Sequence, residues 1–337
     1  MGARRADWVN KTSRLIRRDI PYFQVIFTIP DKLSSLVLGN RKPLYRQLFH
    51  SAASALRRSL RDECGRQSAA VMMLHTWNQR LEHHPHVHAL VPGAGPSLDG
   101  ESWCPCRYTQ ATDKKPAKPF LVDNVELGDR FRDSYLRGVK ALLRSGKLKV
   151  KDASAVEQLL EQLRTIDWVV FIQAPPTDLS DPANVLKYLA RYMTGGPISD
   201  RRIIEVKAGR VYFMARSKDK SGRQIRESLP LLEFIRRWTL HILPKGFTKA
   251  RCFGGWSNKH REAYQERCDR LQPAVEPVAE VAATEPSDEP AAQDVEREIQ
   301  CPRCEQAMIR QSSTPRPSWA DLFYGPDHPQ WLEMVHF

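Results

Sequence analysis

Five of the chain's ten histidines fall between residues 75 and 88, in the stretch HTWNQRLEHHPHVH. His86 and His88 are separated by Val87 and run directly into the apolar residues ALV. Alternate side chains of an extended strand share a face, so this spacing sends both imidazoles to one side and Val87 to the other. Two imidazoles about 6–7 Å apart at Cβ can grip one divalent ion. His75 would stand beside them if the intervening residues form a hairpin connection, with Gln79 as the fallback ligand. Three neutral ligands leave coordination positions open, which a catalytic metal needs and a closed structural site does not. His83 and His84, by contrast, read as solvated loop histidines. A single His-X-His pair is a weak signal; its weight comes from a second constellation.

That constellation is KYLARYM, which puts Tyr188 and Tyr192 four residues apart on one helical face, flanked by Lys187 and Arg191. Such a pair is more often packing than chemistry. A phenol is nonetheless a competent nucleophile toward a phosphodiester if a cation polarises the phosphate.

The positioning elements follow from periodicity. PYFQVIFTIP (21–30), SAAVMMLHTW (68–77) and HVHALV (86–91) read as strands. WVVFIQAP (168–175) is an unbroken apolar run of strand length, expected at the middle of a sheet. RIIEVK and RVYFMAR, joined around Ala208-Gly209, form a hairpin. Leu44, Leu48, Ala52, Leu56 and Leu60 mark an amphipathic helix over 42–62. Further helices are expected at 126–145, 153–164, near 229–241 and at 258–271. SDPANVLKYLARYM is a helix capped by Ser180 or Asp181.

Net charge is +13, unevenly spread. Residues 276–296 carry seven acidic side chains and no basic one, and those from 297 onward carry four basic and five acidic. The first 275 residues therefore hold a surplus of +21, which favours a polyanionic partner such as nucleic acid. No apolar run is long enough for a bilayer span, and the basic N-terminus has no apolar signal core, so a cytoplasmic protein with no membrane partner is expected. Seven cysteines do not suggest a disulfide scaffold in that compartment. Cys301 and Cys304 form half of a zinc ribbon and could hold a structural zinc, or be reduced thiols in a tail. Domain organisation reads as a basic lead-in (1–20), a catalytic domain (21–272), a disordered acidic linker (273–298) and a small C-terminal segment (299–337).

HPHVHALV resembles a histidine–apolar–histidine (HUH) motif, and YLARY resembles the paired tyrosines of two-tyrosine HUH enzymes. PYFQVIFTIP, LHTWNQRLEHHPHVHALVPGAG, KYLARYMTGGPISDRRI and LPKGFTKARCFGGWSNKHR resemble the rolling-circle transposases of the IS-ninety-one type, from about residue 20 to 262. Members usually begin with a Cys-rich zinc module; only a cysteine-free basic segment precedes the PYF strand here.

The resemblance implies an α+β fold. An antiparallel sheet of about five strands, a palm like that of RNA-recognition or ferredoxin-like domains, is covered by helices. It implies single-stranded DNA at transposon ends and target as substrate, and Mg²⁺ or Mn²⁺ held by His86, His88 and His75. Tyr188 or Tyr192 would form a 5′-phosphotyrosine. Lys187, Arg191, Arg201 and Arg202 are candidate phosphate contacts, and Trp77 and Trp256 could stack on bases or pack in the core. A replication initiator or relaxase using the same chemistry, or a non-catalytic DNA-binding remnant, are the alternatives.

Overall fold

In the computed structural model, residues 15–17, 20–111, 116–173, 196–217 and 223–272 are described. Apolar residues at every second position of β1 (Tyr22–Thr28), β2 (Ala69–Trp77) and β3 (His83–Pro92) need a common cover. Phe23, Val25 and Phe27, with Ala70, Met72, Leu74, Val87, Ala89 and Val91, form one apolar face of a sheet. Two helices close it. One, α2 (Arg41–Cys64), follows the short α1 (Ser34–Gly39) and supplies Leu44, Leu48, Phe49, Ala52 and Leu56. The other, α3 (Asn124–Arg144), supplies Phe131, Tyr135 and Val139. Asp123 caps α3 by accepting a hydrogen bond from the amide of Glu126. A further helix, α4 (Ala153–Arg164), adds Leu160 and Leu163 to the same core.

The sheet has five antiparallel strands in the order β12-β2-β3-β1-β8, where β8 is Val170–Gln173 and β12 is Ala250–Gly254. Two-residue ribbons pair β4 (Gly95–Pro96) with β5 (Trp103–Cys104) and β6 (Arg107–Tyr108) with β7 (Pro119–Phe120). A second antiparallel sheet, of three strands, comprises β9 (Ile203–Lys207), β10 (Arg210–Arg216) and β11 (Gln224–Pro230). Helix α5 (Leu231–Thr239) follows it, and α6 (Arg261–Leu271) follows β12. Gly254 ends β12 at φ +61°, where a Cβ would stand 2.0 Å from the carbonyl of Ser68, so only glycine lets the chain leave the sheet here.

Two sequence expectations change. The apolar run at 168–175 was expected in mid-sheet, yet among the described residues β8 ends the sheet beside β1. Only one of its faces is used: Val170 is buried against α3, whereas Val169 and Phe171 are exposed. Two strands escaped the periodicity. β12 carries Arg251 and ends on Gly254, and β11 reads QIRESLP, mostly polar residues. No helix of the described residues is long and apolar enough to cross a membrane.

Candidate metal centre

The opposite face of the sheet is divided along its strands. Near the start of β2, Tyr22, Val71 and Leu90 are covered by Trp256, Tyr264 and Leu15, and Trp256 stacks on Tyr22 at 6.4 Å. Trp256 is thus a core residue and not a base-stacking platform. Toward the end of β2 the covering changes from apolar to imidazole.

His75 lies directly opposite His86 across the β2–β3 ladder, and His88 lies opposite Met73, one pleat away on the same face. Ring centroids stand 5.5 Å apart for His75 and His86, 4.4 Å for His75 and His88, and 4.9 Å for His86 and His88. One ring nitrogen from each of the three lies within 4.8 Å of the others. Ligands around one metal are separated by little more than 3 Å, so small rotations of these rings would bring the three nitrogens to metal-binding spacing.

Local backbone irregularity makes this convergence. Pro85 interrupts β3 and has no N–H to give to a ladder, and the register slips between His75 and Trp77. The turn beyond is tied down. Asn78 Oδ1 accepts from the amides of Arg80 (2.9 Å) and Glu82 (3.0 Å). Leu81 adopts φ +61°, a costly conformation for a branched residue, and is fully buried among Val211, Phe213 and Phe234. Its carbonyl is 3.1 Å from His241 Nε2, and the Arg80 carbonyl accepts from Arg237 at 3.1 Å. The second sheet and α5 therefore clamp the hairpin on which His75 and His86 sit.

Outer partners orient the rings. His86 Nδ1 is 2.8 Å from the His84 carbonyl and donates to it, so Nε2 carries the lone pair. Gln24 on β1 places its amide 2.8 Å from His88 Nδ1. The group at that distance is Gln24 Nε2, which donates to Nδ1; exchanging the amide's O and N would let the oxygen accept from Nδ1–H and leave His88 Nε2 as the lone pair. Burial pushes His86 down to about 4, and burial together with His86 and Lys249 pushes His88 down to about 3. Both rings are neutral at physiological pH, the state a metal requires. The donor set, its spacing and its neutrality all fit a divalent cation.

His83 and His84 are not solvated loop residues. Both belong to β3: His83 Nε2 meets the Tyr45 hydroxyl at 2.8 Å, and His84 pairs with Asp31 at 2.8 Å. Trp77 stacks on His75 with centroids 4.7 Å apart and rings 19° from parallel, so it packs against that imidazole. Lys249 Nζ sits 5.0 Å above the Trp77 ring. Burial pushes its ammonium down to about 8. Lys249 and Gln24 were missed from sequence. Gln24 could have been found as the lone polar residue inside YFQVIFT, and Lys249 as the cation leading into β12. Gln79 is exposed on the turn, and its carbonyl accepts from Arg202. Arg202 also donates to the Met214 carbonyl at 2.8 Å, so this guanidinium joins the second sheet to the hairpin; Arg201 is exposed. Lys187, Tyr188, Arg191, Tyr192, Cys301 and Cys304 lie outside the described residues.

Fold and site together define a mixed α/β protein in which an antiparallel sheet brings together three imidazoles that could hold one cation. A family model described as "Putative transposase" matches residues 69–263, a span that takes in all three imidazoles, and the chain belongs to that family. It is 32% identical over 317 residues to "Putative transposase y4qJ" of Sinorhizobium fredii (strain NBRC 101917 / NGR234), covering 90% of this chain and 76% of that protein. It is 26% identical over 246 residues to the "Transposase for insertion sequence element IS801" of Pseudomonas savastanoi pv. phaseolicola, covering 72% of this chain and 55% of that one. A bacterial tRNA(His) guanylyltransferase (Thg1)-like protein in complex with GTP aligns over 72% of this chain and 99% of its own at 10% identity. Its TM-score of 0.21 carries no argument.

Proposed function

We propose that this transposase cleaves and rejoins single-stranded DNA at transposon ends through a tyrosine, in the manner of the two-tyrosine HUH enzymes, on a palm-like sheet. The observation that carries the reading is the convergence of His75, His86 and His88 on one cation-sized space, in a chain of a transposase family. Its strongly basic balance supports a nucleic-acid substrate.

His86 and His88, with His75 across the ladder, would hold Mg²⁺ or Mn²⁺. The bound cation would supply charge withdrawal from the scissile phosphate, in place of a hydroxide nucleophile. Everything else falls to side chains. Gln24, the His84 carbonyl and Trp77 fix the three rings before substrate arrives. Tyr188 or Tyr192 loses its phenolic proton and attacks phosphorus; the Tyr O–P bond forms and the P–O3′ bond breaks. The freed 3′ oxygen takes a proton and leaves as a hydroxyl. The phosphodiester's energy stays in the phosphotyrosine, so a 3′-hydroxyl from another strand can reverse the step and join the ends without a nucleotide cofactor. Lys249, beside the imidazoles, is the described cation best placed to face the phosphate. Lys187, Arg191 and Arg201 are proposed to track the neighbouring backbone. The two cysteines Cys301 and Cys304 are proposed as part of a separate structural zinc site.

The experiment is an adduct assay. The chain is incubated with single-stranded oligonucleotides from an element end and Mn²⁺, then denatured. A covalent protein–DNA species is expected, absent when Tyr188 and Tyr192 are both replaced by Phe. An adduct that survives the double substitution refutes the nucleophile assignment.

A further inference from the structure

Several arginines are matched to carboxylates: Arg130 to Asp62 and Glu126, Arg132 to Asp129, Arg226 to Glu205, Arg236 and Arg237 to Glu233. One region instead gathers several cations around a single cleft. Between α2 and the edge strand β12 runs an open cleft of about 660 Å³, lined by Arg57, Arg58, Arg61, Arg66 and Arg267, with His50 and His260. Among the described residues no Asp or Glu lines it. Arg61 is paired with Asp62 and Arg66 is anchored on the Pro92 carbonyl at 2.8 Å. Arg57 and Arg58 are exposed and make no ion pair or hydrogen bond with any described residue.

The floor of the cleft is different in kind. Its apolar surface is Phe253, half-buried and stacked on Phe49 at 6.0 Å, with the buried core residues Leu56, Ala70 and Met72 behind it. An apolar floor under a guanidinium rim suits an unpaired base laid flat with its phosphates outside; a duplex keeps its bases stacked inward. The volume is within the range of clefts that take small organic ligands, about 300–1,000 Å³.

The cationic rim also continues past the cleft. Arg46, His50, Arg57 and Arg61 recur at spacings that share one face of α2, and Arg251 of β12 lies across Phe49 and Phe247 close to Arg46. From Arg46 to Arg61 the helix rises about 22 Å, enough for several consecutive phosphates.

This surface is distinct from the histidine centre. Gly254 of β12 pairs with Ala69, and His75 lies about 20 Å further along β2. Ala70 and Met72 point to the cleft side of the sheet, and His75 points to the other.

We infer that the α2–β12 cleft is a second nucleic-acid site, binding the backbone of single-stranded DNA independently of any metal. The choice of DNA among polyanions rests on the proposed function; the polyanion track itself does not.

The test uses the full chain in EDTA, a fluorescent oligothymidylate, and anisotropy titrations across a salt series. Arg57→Ser/Arg58→Ser should weaken binding about tenfold and flatten the dependence of log affinity on log salt by about 1.4, two single-strand phosphate contacts. Arg144→Ser/Lys147→Ser removes equal charge from exposed residues at the end of α3 and should change neither slope nor affinity by more than about twofold. Far-ultraviolet circular dichroism checks that both double variants are folded, and Arg57→Lys/Arg58→Lys should restore the salt slope. Unchanged binding by the Ser variant overturns the inference, as does an equal loss in the control. Duplex bound as tightly as single strand overturns the unpaired-base reading. If no adduct forms with Mn²⁺ but these losses are seen, the proposed chemistry fails and the cleft stands.

Discussion

Acid should unfold this protein through its buried imidazoles, before its carboxylates begin to protonate. Burial pushes His83, His86 and His241 down to about 4, and His88 down to about 3. In the unfolded chain each returns to about 6.5. Below that value the unfolded state binds more protons than the folded state, so stability is complete above about pH 6.5 and falls as pH is lowered toward 4. For one such histidine the loss between pH 7.5 and 5.0 is about 2 kcal/mol. His241 is nearly fully buried and contributes that amount; the other three keep partial exposure and are discounted to about 1 kcal/mol each. The total, about 5 kcal/mol, is comparable to the whole stability of many domains. Glu63, whose carboxyl burial pushes up, works in the opposite direction. The assay is urea unfolding in EDTA, followed by tryptophan fluorescence, at half-unit steps from pH 7.5 to 5.0. The midpoint should be flat above about pH 7 and fall steadily below 6.5. A flat profile to pH 5.0 would mean that these rings are hydrated and protonated in the folded state, and the preset neutral ligand set would be lost with it.

Three further outcomes follow from the same geometry. His75→Ala should lower Mn²⁺ or Co²⁺ affinity by about 10²-fold or more, one ligand's share of a multidentate site, measured by isothermal titration calorimetry. Gln24→Leu should cost about 10–100-fold in the same titration while leaving all three ligands in place, because it removes only the group that orients His88. Lys249→Met should leave metal affinity within about threefold but slow single-turnover adduct formation by about 10²-fold, the usual cost of losing one charge-stabilising group. A Lys249→Met effect confined to metal affinity would assign that residue to the ligand shell instead.

Much of this site was legible in the residues because its chemistry and its periodicity coincide. His86 and His88 sit at a two-residue period within an apolar strand, and the strand itself fixes their common side. His75 could be joined to them because hairpin pairing is local, although the turn proper is only residues 78–82 and His83 and His84 belong to the strand. What stayed hidden depends on contacts distant in sequence. Lys249 and His241 reach the histidines only through β12 and α5, 160 residues or more beyond the hairpin turn. The edge position of β8 was invisible because an apolar run states that a segment can be covered on both faces, whereas here only the Val170 face is covered and Val169 and Phe171 on the other stay exposed. β11 failed the alternation test because its small sheet buries only Val211, Phe213, Ala215 and Phe234 around Leu81, which leaves β11 free to be polar.

Whether one cation is shared by the imidazoles and a DNA phosphate can be measured directly by electron–nuclear double resonance on Mn²⁺. The sample is the Tyr188→Phe/Tyr192→Phe chain with a single-stranded oligonucleotide, so that substrate binds without reacting. The account predicts nitrogen couplings from histidine and a phosphorus coupling on the same ion, both lost when His86 and His88 are replaced by Ala. Phosphorus coupling without nitrogen, or nitrogen coupling that persists in the histidine variant, would contradict it.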